Sequence, residues 1–248
     1  MTRTTTTTAP APETNVHEIA AGIYRISTPV PPSAAPGGFT FNQFLVVDDE
    51  PLLFHTGMRS LFPAVRQAVA RVIDPASLRW VGFSHVEADE CGALNDWLAV
   101  APRALPVCSQ VAAMTSGDMA DRPPRALADG EELVLGAAKR VRWLDAPHLP
   151  HNWECGYMFE AGTRTLLCGD LFTHAGADLP PLTESEVLSP AEALRQAMPA
   201  SMAIDVHARG ILNKLAATQP RTLALMHGSS YRGDGGALLR ALGDALGV

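Results

Sequence analysis

A chain of 248 residues can bury a substantial core and is long for one domain without exceeding it. Its net charge of −7 and the lack of any Lys/Arg run argue against nucleic acid as a partner, which needs a clustered basic footprint. No apolar stretch approaches the roughly 20 residues of a spanning helix, so no membrane partner is expected.

Residues 1–12 are Thr-, Ala- and Pro-rich without the apolar core of a secretory signal, and residues 1–16 read as a disordered tail. Order is expected from about His17. Residues 19–26, with Gly22, predict a first strand pair, and residues 29–38 a Pro/Gly-rich loop. The segment 41–47, Phe-Asn-Gln-Phe-Leu-Val-Val, predicts a strand. The turn Asp48-Asp49-Glu50-Pro51 separates it from a short strand at 52–54, which leads into His55-Thr56-Gly57. Residues 61–73 carry apolar residues at helical spacing, and 78–83 return to strand. A helix is expected over 91–100, with short strands at 106–108 and 132–135. Further β-type runs occupy 141–144, 164–169 and 221–226, and helices are expected at 190–198, 208–218 and 236–246. Strand meanders with helices in each half, and no linker between 17 and 248, predict one α+β domain. Two sheets pack together with helices outside, an αββα sandwich.

The chemistry concentrates in Phe83-Ser84-His85-Val86-Glu87-Ala88-Asp89-Glu90-Cys91-Gly92. An imidazole and two carboxylates stand at every second position after a strand, and residues so spaced on a tight loop can point into one pocket. Packing does not generate such a cluster, because unpaired Asp and Glu are costly to bury. A helix N-terminus, with Asp89 as cap and Glu90 complementing the dipole, accounts for those two residues but leaves His85 and Glu87 unexplained. Three more candidates follow β-type runs: His148 after Val141-Arg142-Trp143-Leu144, Asp170 after Leu166-Leu167-Cys168-Gly169, and His227 after Leu223-Ala224-Leu225-Met226. Strand ends present site residues on a rigid support. The four cysteines, Cys91, Cys108, Cys155 and Cys168, lack CxxC spacing. This argues against a zinc knuckle or iron–sulfur cluster and suits reduced core thiols in the cytoplasm.

The ordered sites His85-x-Glu87-x-Asp89, His148, Asp170 and His227 resemble the metallo-β-lactamase superfamily. Within it they are most similar to the di-iron domain of flavodiiron proteins. Gly22-Ile23-Tyr24-Arg25-Ile26, His55-Thr56-Gly57 in place of the frequent Asp-Thr-Gly, and Gly169-Asp170-Leu171-Phe172 fit as well. Most hydrolases of the fold carry HxHxDH; here Glu87 replaces the second His, and Glu90 the His after Asp. The resemblance implies one metal on His85, Glu87 and His148 and another on Asp89 and His227, bridged by Asp170. Such an oxygen-rich set suits two iron ions, with manganese or zinc as alternatives.

The implied function is a non-haem di-iron protein for dioxygen or nitric oxide, either a sensor or carrier or an oxidoreductase. This sequence has no flavodoxin domain, flavin site or rubredoxin cysteines. Two ferrous ions can give one electron each to dioxygen, so full reduction needs a separate electron donor. Binding without turnover implies a signalling partner instead. Flavodiiron relatives dimerise head to tail so that flavin meets iron; without a flavin a homodimer stays open. The competing reading is a binuclear metallohydrolase of the same fold, cleaving a thioester, lactone or phosphodiester.

Individual residues remain to be separated. Pro147-His148-Leu149-Pro150 fits the superfamily His-x-Pro pattern, which makes His148 the expected ligand. His151 is the alternative ligand, a donor to bound oxygen, or an ordinary loop residue. Glu90 reads as an acceptor behind the ligands, and Tyr231 as a hydrogen-bond donor to bound oxygen or a packing residue. His174 reads as a surface or outer residue. His17, His55 and His207 read as structural or surface residues, and Trp97, Trp143 and Trp153 as core or pocket wall.

Overall fold

The computed structural model describes residues 13–202 and 205–248. The tail expected over residues 1–16 falls mostly outside them, but its last two residues belong to a strand. Strand β1 (Asn15–Ala20) starts two residues before the expected onset of order and pairs with β2 (Ile23–Val30), Asn15 facing Ser27. Gly22 turns between them at φ 68°, a left-handed conformation that favours glycine.

The first sheet runs in chain order through β1, β2, β3 (Phe39–Val46), β4 (Leu52–Phe54), β5 (Trp80–Gly82), β6 (Leu105–Ser109) and β7 (Arg125–Leu127). The second contains β8 (Glu132–Val134), β9 (Arg140–Asp145), β10 (Gly156–Glu160), β11 (Thr165–Leu167), β12 (Leu182–Thr183), β13 (Thr222–Ala224) and β14 (Ser230–Arg232). Its order is β12-β14-β13-β11-β10-β9-β8. Helices α1 (Phe62–Val69), α2 (Ala88–Cys91), α3 (Leu94–Val100) and α4 (Gln110–Ser116) belong to the first half. Helices α5 (Leu188–Ala197), α6 (Ala208–Ala217) and α7 (Gly235–Leu246) belong to the second.

Three apolar layers follow from this arrangement. Ile23, Phe44, Phe54, Trp143, Met158 and Leu167 fill the space between the sheets. Val65, Val81, Leu94 and Trp97 join the first sheet to its helices, while Phe159, Leu212, Leu223 and Leu239 do so for the second. The architecture is the expected αββα sandwich.

The expected helix over 91–100 is instead two pieces. Ala93 N–H leaves the helical ladder to donate to Gly57 O and Thr56 Oγ1, both at 3.1 Å, and Thr56 N–H donates to Glu90 O at 2.7 Å. The chain thus gives up one helical turn to tie the His85 segment to the end of β4. Helix α4 was not anticipated, since Ala112 is its one buried residue; its signal is Ser109, whose Oγ accepts from Ala112 N–H at 3.0 Å.

Each sheet contains a parallel pair, β4 with β5 and β11 with β13. Parallel pairing puts two carboxyl ends at the same edge, where ligands of such sheets bind. Gly156 joins the layers beside that edge: its N–H donates to Ser84 O at 2.9 Å, and a Cβ there would overlap the buried Trp143 indole. Gly156→Ala is expected to cost about 1–3 kcal/mol through overpacking, read as a lowered midpoint in urea unfolding with unchanged slope.

Candidate metal centre

Five of the expected ligands come together at the carboxyl ends of those strands, and one does not. His85 Nε2 lies 2.9 Å from Glu87 Oε2 and 3.6 Å from Asp170 Oδ2. His227 Nε2 lies 3.2 Å from both Asp89 Oδ2 and Asp170 Oδ1. His148, by contrast, is exposed, with φ 61°. His151 occupies the place expected for it: its Nε2 lies 2.8 Å from His85 Nε2, 3.1 Å from Glu87 Oε2 and 3.6 Å from Asp170 Oδ2. Donor atoms of His85, Glu87, His151 and Asp170 all fall within 4.8 Å of one another.

The loop explains the exchange. His148 N–H donates to Asn152 O and Ala146 N–H to Cys155 O, both at 2.8 Å, closing a turn that buries Leu149 and Pro150. Burying this apolar pair turns His148 outward and His151 inward. A His-x-Pro pattern in the sequence does not carry that information.

In all three inward imidazoles the Nδ1 side is anchored. His227 Nδ1–H donates to Thr40 O at 2.8 Å and His151 Nδ1–H to Ser201 O at 3.0 Å. His85 Nδ1 lies 2.9 Å from Ser84 Oγ, whose hydroxyl donates onward to Glu90 Oε2, so this nitrogen too carries the proton. Carbonyls and a committed hydroxyl can only accept, which leaves each neutral Nε2 as a lone pair. These lone pairs face carboxylate oxygens and, between His85 and His151, each other. The arrangement is repulsive unless a cation or protons lie among them. A dication pair satisfies it, and the donor set of imidazole and carboxylate fits a metal.

The proton affinities express the same demand. Burial opposes a charge on His227, yet hydrogen bonds to Asp170 and Asp89 raise it to about 10. Burial likewise opposes charge on His85, and the charge of Glu90 together with hydrogen bonds to Cys155 and Glu87 raises it all the same. Hydrogen bonds from His151 and His85 hold Glu87 well below the usual carboxylate range.

Glu90 stands behind the centre and is fully buried. Its Oε2 accepts from Ser84 N–H at 3.0 Å and from the Ser84 hydroxyl, and lies 3.2 Å from His55 Nε2. Burial raises Glu90 to about 7 and depresses His55 to about 3. Within α2, Glu87 holds the N-cap position without a side-chain cap bond, so Asp89 is not the cap; Asp89 faces His227 instead. His55 is fully buried beside Glu90, which fits the structural reading and not the surface one.

The remaining candidates separate cleanly. His174 is buried, with Nδ1 on Phe172 O at 2.8 Å and Nε2 accepting from Ser229 N–H at 3.0 Å, so both nitrogens are committed to shaping the loop after His227. Tyr231 sits opposite Leu223 in β14, beside Gly233 and against the outer core, away from the centre. His17 and His207 are exposed, Trp97 and Trp143 are buried, and Trp153 is on the surface.

Several supports escaped the sequence reading. Asn42 Nδ2 donates to Leu225 O and Gly228 O at 2.8 and 3.0 Å, and Arg25 Nη2 to Gly228 O at 2.9 Å. The first sheet thereby holds the loop that carries His227 on the second. The available signal was Asn42-Gln43 inside an otherwise apolar strand. Phe39 stacks on His227 with ring centroids 4.3 Å apart, and with Phe172, Leu194 and Met198 it walls a cavity of about 250 Å³ over the centre.

The sequence matches the family described as ODP family beta lactamase over residues 39–228. A diflavin flavoprotein A 1 of Thermosynechococcus vestitus is 30% identical over 160 residues, 63% of this chain and 28% of that protein. The rubredoxin-oxygen oxidoreductase of Megalodesulfovibrio gigas is 28% identical over 148 residues, 56% of this chain and 35% of that protein. The chain thus covers only about a third or less of the length of these two relatives. A metal-soaked flavodiiron core from Synechocystis superposes with a TM-score of 0.84 at 21% identity, over 96% of this chain and 62% of that chain. At that identity the likeness is one of fold. Matched over more than half its length, and folded as these relatives fold, the chain belongs to the ODP family of beta lactamases.

Proposed function

We propose that the chain holds two iron ions and that the pair reacts with dioxygen or nitric oxide, as sensor, carrier or reductase. His85, Glu87 and His151 would hold one ion, Asp89 and His227 the other, with Asp170 shared. The observation that carries this reading is Asp170 itself: Oδ2 lies 3.6 Å from both His85 and His151, while Oδ1 lies 3.2 Å from His227. One side chain so divided suits two cations better than one. Three carboxylates beside three imidazoles make a hard donor set that favours iron over zinc. Its likeness to a rubredoxin-oxygen oxidoreductase and to a flavodiiron core supports this reading.

Held by these residues, a ferrous pair would supply the two electrons that reduction of a diatomic gas needs. The surrounding residues select what reaches it. A cavity of about 250 Å³ is smaller than the roughly 300–1,000 Å³ of ordinary small-molecule sites, and its apolar walls suit a diatomic gas rather than an ester. Glu87 and His151, 49% and 29% exposed, line it together with the ion pair of Glu192 and Arg195. Turnover beyond two electrons would need an electron donor; binding without turnover would instead let the centre report oxygen to a signalling partner. The four cysteines are free and buried, which supports a reducing cytoplasmic setting. No helix among the described residues is long and apolar enough to cross a membrane.

Protein reduced without air and then exposed to oxygen is expected to contain about two irons per chain and to develop a new visible charge-transfer band. Zinc after iron-replete expression, with no spectral response, would replace this reading with the metallohydrolase. His151→Ala is expected to lose about one metal per chain, whereas His148→Ala keeps the full complement, both read by elemental analysis. Glu90→Ala frees Ser84 and with it the ring of His85; metal affinity should fall about 10–100-fold in a chelator competition.

A further inference from the structure

The edge of the second sheet opposite the metal centre carries a cleft of about 830 Å³, and its walls are cationic. Arg164 and Arg221 stand immediately before β11 and β13, whose other ends lead to Asp170 and His227. Arg221 precedes His227 by six positions, on the order of 20 Å of extended chain, so cleft and centre are distinct. Arg232, from β14, and Arg240, from α7, complete the lining.

In a chain of net charge −7, four guanidinium groups share this space with one carboxylate, Asp234. That carboxylate is engaged as the N-cap of α7, accepting from Ala237 N–H at 2.8 Å. Among the described residues none of the four arginines has a carboxylate within 4.0 Å, although most of the other cationic side chains of the surface do. Residues 1–12 and 203–204 contain no Asp or Glu that could supply one. Arg164 is oriented by Gln219 O and Arg232 by Ile19 O, at 2.8 and 2.7 Å, whereas the side chains of Arg221 and Arg240 make no hydrogen bond among the described residues. The second residue of α7, Gly236, adds to the lining an N–H that has no intrahelical acceptor, at the positive end of a helix dipole.

We propose that this cleft binds a phosphate-bearing small molecule with at least two phosphoryl groups. Guanidinium forks match phosphate oxygens bidentately, and four such charges exceed what one phosphate neutralises. The volume falls in the range of small-molecule sites and is well above that of a lone phosphate.

The test is calorimetric titration of the full chain with inorganic phosphate, pyrophosphate and ADP, using both metal-loaded and chelator-stripped protein. Saturable binding of pyrophosphate or ADP, at least about ten-fold tighter than phosphate and weakening with added salt, is expected in both metal states. Tighter ADP than pyrophosphate assigns a nucleotide; equal affinities assign an oligophosphate group alone. Arg221→Gln with Arg240→Gln should weaken binding at least about ten-fold without changing the melting temperature, since neither side chain supports the fold. Should the pair fail to fold, Arg240→Gln alone, on the exposed side of α7, should weaken binding about three-fold or more. No saturable binding at low salt, binding only in the metal-loaded state, or unchanged affinity in these variants would overturn the assignment.

Discussion

Three imidazole rings, each fixed at Nδ1 by an oxygen that can only accept, set the terms for everything around them. With that nitrogen committed to Thr40 O, Ser201 O or the Ser84 hydroxyl, each ring turns an unshared pair toward carboxylate oxygens 2.9–3.6 Å away. Six negative or electron-rich groups then converge on one small volume. No rearrangement of neutral side chains relieves that, and the opposite sign must come from a cation or from bound protons.

The rest of the fold is arranged to keep those rings from turning away. Parallel pairs in both sheets deliver their carboxyl ends to one edge, so His85 and Asp170 emerge facing each other across the sandwich. Polar side chains of β3 cross the layer boundary to grip the backbone around His227. Behind His85 the buried Glu90 accepts from the backbone and hydroxyl of Ser84, with His55 Nε2 3.2 Å from its carboxylate, and so braces the segment that carries His85.

Much of this was legible in the sequence. Alternation of His, Glu and Asp after an apolar run marks a pocket because burial of such groups has no packing rationale, and strand-end placement marked Asp170 and His227. The αββα order followed from meanders with helices interposed. Illegible were features decided by tertiary contacts. The choice of His151 over His148 depends on which side of the 146–152 turn buries Leu149 and Pro150. The break between α2 and α3 depends on Thr56 and Gly57, more than thirty residues earlier in the chain. Tyr231, four residues after His227 in sequence, is carried away by the reversal into β14.

His85, Glu87 and Asp89 follow a strand of one sheet, whereas His151, Asp170 and His227 follow strands of the other. The thickness of the hydrocarbon layer between the sheets, set by Phe44, Phe54, Trp143 and Met158, is therefore also the gauge of the site. Native interiors are close-packed and transmit strain rather than absorbing it. Drift in the identity of those apolar residues over evolutionary time would retune the spacing of the polar groups, and with it the reactivity they support, without touching one of them.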